Sequence, residues 1–169
     1  SSGCAGETQL AFNDFTSKDG EYPKEYQYVR PLGVDLGIVE EAKRAIEKGA
    51  SGEILALAKG DKRPITQDLI IEAAEKKDSL AIELIESAGK SLGIKIALMV
   101  NLLNPAVVVI GGGMEKAGDM LFEPIKSSLK RFAFEEPSGA VKIVPSMLGN
   151  EAVVLGAASL SAREIFIGA

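Results

Sequence analysis

The chain has 169 residues, 46% of them hydrophobic and 25% charged, and a net charge of -5; that balance fits one packed domain or one lobe of a larger protein. It has no histidine and a single cysteine, Cys4, so the commonest general base is missing and neither an internal disulfide nor a cysteine zinc cage can form. A pI of about 4.9 without a long basic run argues against nucleic-acid binding by this segment, and no apolar stretch approaches the ~20 residues of a membrane span, which makes the cytoplasm the expected compartment.

Residues 1–7, SSGCAGE, read as a loop whose small residues permit close backbone approach to a ligand. Glu7 is its one charge, either a solvated turn acid or a carboxylate accepting hydrogen bonds from a polyol. Residues 8–15 are a candidate strand, because Leu10 and Phe12 start an alternation. Residues 17–31 are polar and turn-rich, with Asp19-Gly20 as a turn signal and three tyrosines that read as loop packing. The chain opens on Ser1, not Met, which suggests a piece of a longer polypeptide.

Residues 34–48 have helical spacing, with Leu36, Val39, Ala42 and Ile46 on one face and Gly49 as the stop. A short helix over 52–58 should close at Gly60. Thr66 should cap a helix over 67–77, and Asp78 one over 79–103. The second half of that long helix is apolar nearly all round, so it should be buried on most sides, by a sheet and by another helix or subunit. Gly93 in its middle predicts a close crossing.

Asn104-Pro105 then stops the helix. Residues 106–110 are an unbroken apolar run, expected as a strand covered on both faces. Gly111, Gly112 and Gly113 follow, where a ligand crevice falls in open α/β sheets. Three glycines after a strand could also be a plain strand-to-helix connection. They fit neither the phosphate-binding G-x-x-x-x-G-K-S/T motif nor G-x-G-x-x-G, since Lys116 takes the last glycine position. A helix with Pro124 near its first turn should point Ile125, Leu129 and Phe132 inward. Residues 135–139 should break the chain. A strand over 141–144 and a helix over 151–166, with Val154, Ala157, Ala158 and Leu160 inward, complete a crossover unit of a parallel sheet.

These segments together resemble the ROK family of bacterial sugar kinases and sugar-responsive repressors. N-L-L-N-P-x-x-V-V-I-G-G-G at 101–113 looks like that family's adenosine-loop region, and A-G-D-x-L-x-E-P-I at 117–125 fits too. So do G-N-E-A-V-V-L-G-A-A at 149–158 and the long helix from residue 76 to 93. S-G-C-A-G-E at 2–7 looks like the start of the sugar-binding loop. The resemblance implies an α/β fold, the ribonuclease-H-like C-terminal lobe of the actin-like, hexokinase-like ATPases. Residues 1–169 would be that single lobe, with the N-terminal lobe upstream. Gly6 and Glu7 would bind sugar, and Gly111, Gly112 and Gly113 would face the nucleotide.

The departures from the family pattern also matter. The family's glutamate is followed by x-Gly-His, which binds sugar and zinc; here Thr8-Gln9-Leu10 follow Glu7, and 14–31 hold no cysteine. No zinc is therefore expected. The catalytic aspartate of the kinases would belong to the other lobe, so this chain alone has no base for phosphoryl transfer. Three functions stay open: the sugar-effector-binding and oligomerisation lobe of a transcriptional regulator, the C-terminal lobe of an ATP- and magnesium-dependent sugar kinase, and a lobe kept only for dimerisation. In the first, DNA would be met only through an upstream domain. A homo-oligomer is expected in any of them.

Overall fold

The computed structural model describes residues 37–60 and 63–166. The expected strand over 8–15, the turn-rich stretch 17–31, and Gly6 and Glu7 lie outside the described residues.

Four helices come first. Helix α1 (Ile38–Glu47) buries Ile38 and Ala42. Gly49 ends it as expected, with φ of 98°; its N–H donates to the Ile46 carbonyl at 2.9 Å, and that of Ala50 to Ala45, also at 2.9 Å. Helix α2 (Glu53–Gly60) is short. Helix α3 (Gln67–Glu75) starts at Thr66, whose hydroxyl accepts the Leu69 N–H at 3.3 Å. Helix α4 (Ser79–Leu103) starts at Asp78. Asp78 is buried, and its carboxylate accepts the N–H of Ala81 at 2.8 Å and that of Ile54 at 3.3 Å. One side chain thus caps α4 and holds the first turn of α2 against it.

The remainder is the crossover. Asn104 closes α4 in the left-handed region, with φ of 42°. Strand β1 (Val107–Ile110), a 3₁₀ turn (Met114–Ala117) and helix α5 (Asp119–Phe132) follow. Then come α6 (Glu135–Ala140), β2 (Lys142–Pro145), a second 3₁₀ turn (Gly149–Glu151) and α7 (Ala152–Phe166). The two strands pair in parallel, Val107 opposite Lys142 and Ile110 opposite Pro145. The fold is therefore mixed α/β, with one two-stranded parallel sheet among the described residues.

Helices α4 and α5 form the main packing pair. A Cβ on Gly93 would lie 2.6 Å from the Ile125 carbonyl oxygen, and one on Gly89 2.7 Å from that of Leu121. The close crossing expected at Gly93 is therefore present, and Gly89 extends it by one turn.

Five expectations are corrected. First, among the described residues β1 is covered on one face only: Val108 and Ile110 face the core, while Val107 is 49% and Val109 61% exposed. Second, the described residues do not enclose α4 along its second half. α5 takes one side, and Ile94, Leu98 and Leu102 stay exposed on another. Third, the residues expected inward on α7 (Val154, Ala157, Ala158, Leu160) are exposed. The helix makes its main contacts with the 3₁₀ turn before it, so neither it nor the open sheet face covers the other. Fourth, residues 135–140 form a helix where a break was expected, because Pro137 lies in its first turn, where a missing N–H costs nothing. Phe132 also lies outward, under the Arg131 guanidinium at 5.3 Å from the ring centre.

Candidate functional site

The glycine loop leaves the carboxyl end of β1, and residues 146–149 leave that of β2. The strands are parallel, so both loops emerge along one edge. The ladder runs one bond beyond the strands, from the Ser146 N–H to the Ile110 carbonyl at 2.6 Å. Ser146 Oγ then accepts the Leu148 N–H at 3.2 Å and fixes the second loop's turn.

The three glycines play different parts. Gly111 is exposed, and a Cβ there would lie 3.1 Å from Ser146 Cβ. Gly112 is exposed with φ of 96°, and Gly113 is buried with φ of 98°, both in the left-handed region where a Cβ is strained. A Cβ on Gly113 would also run into the Gln67 side-chain amide. The sequence-predicted Gly111, Gly112 and Gly113 thus form one bend beside the second loop, with two glycines outward and one wedged against α3.

Two of the side chains at the bend come from far away in the sequence. Gln67 Nε2 reaches the Gly112 carbonyl at 3.5 Å. Lys116 Nζ pairs with Asp68 at 3.1 Å, an exposed contact worth about 1 kcal/mol at most. The third, Glu115, is local: its carboxylate accepts the Gly113 N–H at 2.6 Å. Sequence reasoning missed all three. An acid two residues past the glycines was a visible signal for Glu115. Gln67 lies 45 residues from its partner, a distance that carries no local pattern.

The chemistry follows from those contacts. A phosphate-cradling loop offers free backbone N–H groups to an anion. Here the Gly113 N–H is taken by a carboxylate, which adds negative charge at the same place. The surface left open at Gly111 and Gly112 suits a flat, weakly charged group better than a polyphosphate. Hollows of about 410 Å³ beside Lys130 and Val141, and of about 380 Å³ beside Lys90 and Pro124, lie elsewhere and include no loop residue. The loop is a candidate by its position at the strand ends, not by depth.

Comparison with known proteins agrees with the elements described. The ROK family model matches residues 42–164. A glucokinase of Halalkalibacterium halodurans is 36% identical over 92 residues, 54% of this chain and 28% of that protein. The DNA-binding transcriptional repressor Mlc of Escherichia coli is 34% identical over 96 residues, 57% of this chain and 24% of that protein. The chain therefore spans roughly a quarter of the length of these curated relatives. Among solved structures, a ROK family transcriptional regulator homologous to Mlc shares the fold at a TM-score of 0.64 and 23% identity, over 77% of this chain and 32% of that one. A ROK family glucokinase of Streptomyces griseus, in complex with glucose and AMPPNP, aligns at a TM-score of 0.60 and 26% identity, over 80% of this chain and 43% of that one. With a matched segment that runs from α1 through α7, the chain belongs to the ROK family.

Proposed function

We propose that this chain is the sugar-effector-binding and oligomerisation lobe of a ROK-type transcriptional regulator, built on the C-terminal lobe of the actin-like, hexokinase-like fold and working without zinc. Sugar recognition would fall to Gly6 and Glu7, and DNA would be met through a domain upstream. The observation that carries this reading is Leu10, an apolar residue at the position of the family's zinc- and sugar-binding histidine, which suits a lobe that senses a ligand without catalysis. The Glu115 carboxylate, held 2.6 Å from the Gly113 N–H, opposes polyphosphate at the bend but is compatible with a nucleoside there, so it is neutral between this reading and the next.

A second reading is the C-terminal lobe of an ATP- and magnesium-dependent sugar kinase. The favouring observation is the outward pair Gly111 and Gly112 at the carboxyl end of β1, together with the similarity to a glucokinase solved with glucose and AMPPNP. Gly111, Gly112 and Gly113 would then bound the nucleoside, and the base would come from the other lobe.

The deciding experiment gives the full-length protein ATP and a panel of sugars, and in parallel its operator DNA. Sugar-dependent release of DNA without turnover is the expected result; phosphorylation of any sugar overturns it. In the same protein Glu7→Ala should weaken sugar binding about tenfold or more, by loss of a charge-assisted hydrogen bond. Unchanged affinity removes Glu7 from the site. Gly112→Val, which cannot hold its positive φ without strain, tests the second reading: nucleotide affinity that survives it makes the loop a connector.

A further inference from the structure

A hollow of about 410 Å³ lies between the last turns of α5, the short helix α6 and the start of β2. That volume falls within the roughly 300–1,000 Å³ of small-molecule sites, which combine an apolar wall with a few placed polar groups. The wall here is apolar: Leu129 is buried, and Val141 and Ile143 are half-buried. The hollow stands where the chain enters β2, whereas the glycine bend lies where the parallel strands are left, so the two are separate.

The rim carries charge of both signs. Lys126 and Lys130 sit four residues apart on α5 and share a face. Lys126 is taken, since its Nζ pairs with Glu123 at 2.8 Å. Lys130 has no ion pair among the described residues, and neither has Glu135, the acid that α6 contributes. The two line one hollow without pairing with each other. Glu135 also stands on an anchored turn. Asn101 of α4 holds the chain just before it: its Nδ2 donates to the Phe132 carbonyl at 3.3 Å, and its Oδ1 accepts the Phe134 N–H at 2.8 Å, with both rings left exposed. Just after it, Ser138 Oγ donates to the Glu135 carbonyl at 2.9 Å.

We infer that this hollow binds a zwitterionic amphiphile, an α-amino acid with an apolar side chain. Its carboxylate meets the Lys130 ammonium, its ammonium meets the Glu135 carboxylate, and its side chain lies on Leu129, Val141 and Ile143. Each part of the ligand answers one feature of the site. A plain carboxylate brings a like charge to Glu135, a plain amine brings one to Lys130, and glycine leaves the apolar wall in water. The inference goes beyond the function proposed above and does not depend on what the glycine bend or Glu7 binds.

The test is calorimetric titration of the full-length protein with L-leucine and with L-phenylalanine, into the millimolar range. Saturable binding at one site is expected, with isocaproate, isoamylamine and glycine each at least about tenfold weaker than leucine. Lys130→Ala, at an exposed side chain, should weaken leucine about tenfold by loss of a charge-assisted contact, with helicity by circular dichroism unchanged. Gly139 also lines the hollow, and a Cβ there would meet no heavy atom within 4 Å. Gly139→Phe should therefore obstruct the hollow and abolish binding while the fold stays intact. A protein that takes up neither amino acid overturns the site. Isocaproate or isoamylamine bound as tightly as leucine overturns the assignment to a zwitterion. An affinity that neither Lys130→Ala nor Gly139→Phe lowers overturns the location.

Discussion

At Asp78 a single carboxylate serves two elements. The cap on α4 is worth about 1 kcal/mol, and the Ile54 N–H would be left without a partner at a cost of about 1–3 kcal/mol. Asp78→Ala should therefore lower stability by about 2–4 kcal/mol in urea unfolding, more than an ordinary cap. A loss near 1 kcal/mol would mean that the Ile54 bond adds little. Gly93→Ala sets two effects against each other: alanine gains about 1 kcal/mol of helix propensity, but its Cβ would meet the Ile125 carbonyl oxygen at 2.6 Å. Backbone cannot move aside as a side chain can, so overpacking of about 1–3 kcal/mol should win. A stabilised variant would show that the helices can part without penalty. At Glu72 the Lys76 hydrogen bond, and then that from Arg63, hold the carboxyl below its usual 4.5. A depressed carboxyl stabilises above its unfolded pKa, and that contribution is lost as pH falls through the folded one. The urea midpoint of Glu72→Gln should accordingly fall less than that of the parent between about pH 6 and pH 3.

The elements were legible where a local residue decides them. Thr66, Asp78, Gly49 and Asn104-Pro105 each mark a boundary through chemistry within a few positions, and each boundary lies within about two residues of its expected place. Exposure was not legible in the same way. The run 106–110 reads as doubly covered, but Val107 and Val109 depend on what lies across from them, which composition does not specify. Val109→Thr should therefore change stability by no more than about 0.5 kcal/mol, whereas Ile110→Ala should cost about 2–4 kcal/mol; urea unfolding of the pair measures how one-sided the strand is. The turn from α5 into α6 was missed because Pro137 reads as a breaker unless its position in the first turn is known. Asn101 fixes that turn across the gap between two helices. Asn101→Ala should lose about 1–2 kcal/mol and speed hydrogen exchange at the Phe134 amide, while the amide of Val100 stays protected.

For the molecule as a whole, family membership was readable because several blocks recur in order, from the long helix to the final one. The candidate site was readable only in part. Gly111, Gly112 and Gly113 stand out in the sequence, while Gln67 and Asp68 arrive at the bend through the folding of α3. In full-length protein a sugar that binds the native state alone should raise unfolding stability by about 2.7 kcal/mol at a hundredfold excess over its dissociation constant; a sugar without that effect is not a ligand.

At Gly89 and Gly93 the backbone of α4 lies close against the Leu121 and Ile125 carbonyls of α5, with no α4 side chain between them to yield. Two rods fused in this way flex little on their own. α5 begins just after the glycine bend and ends, about 21 Å on, at the aromatic pair beside Asn101. The glycine bend and the Asn101 tether therefore sit at opposite ends of one helix whose Leu121 and Ile125 carbonyls lie against the backbone of α4.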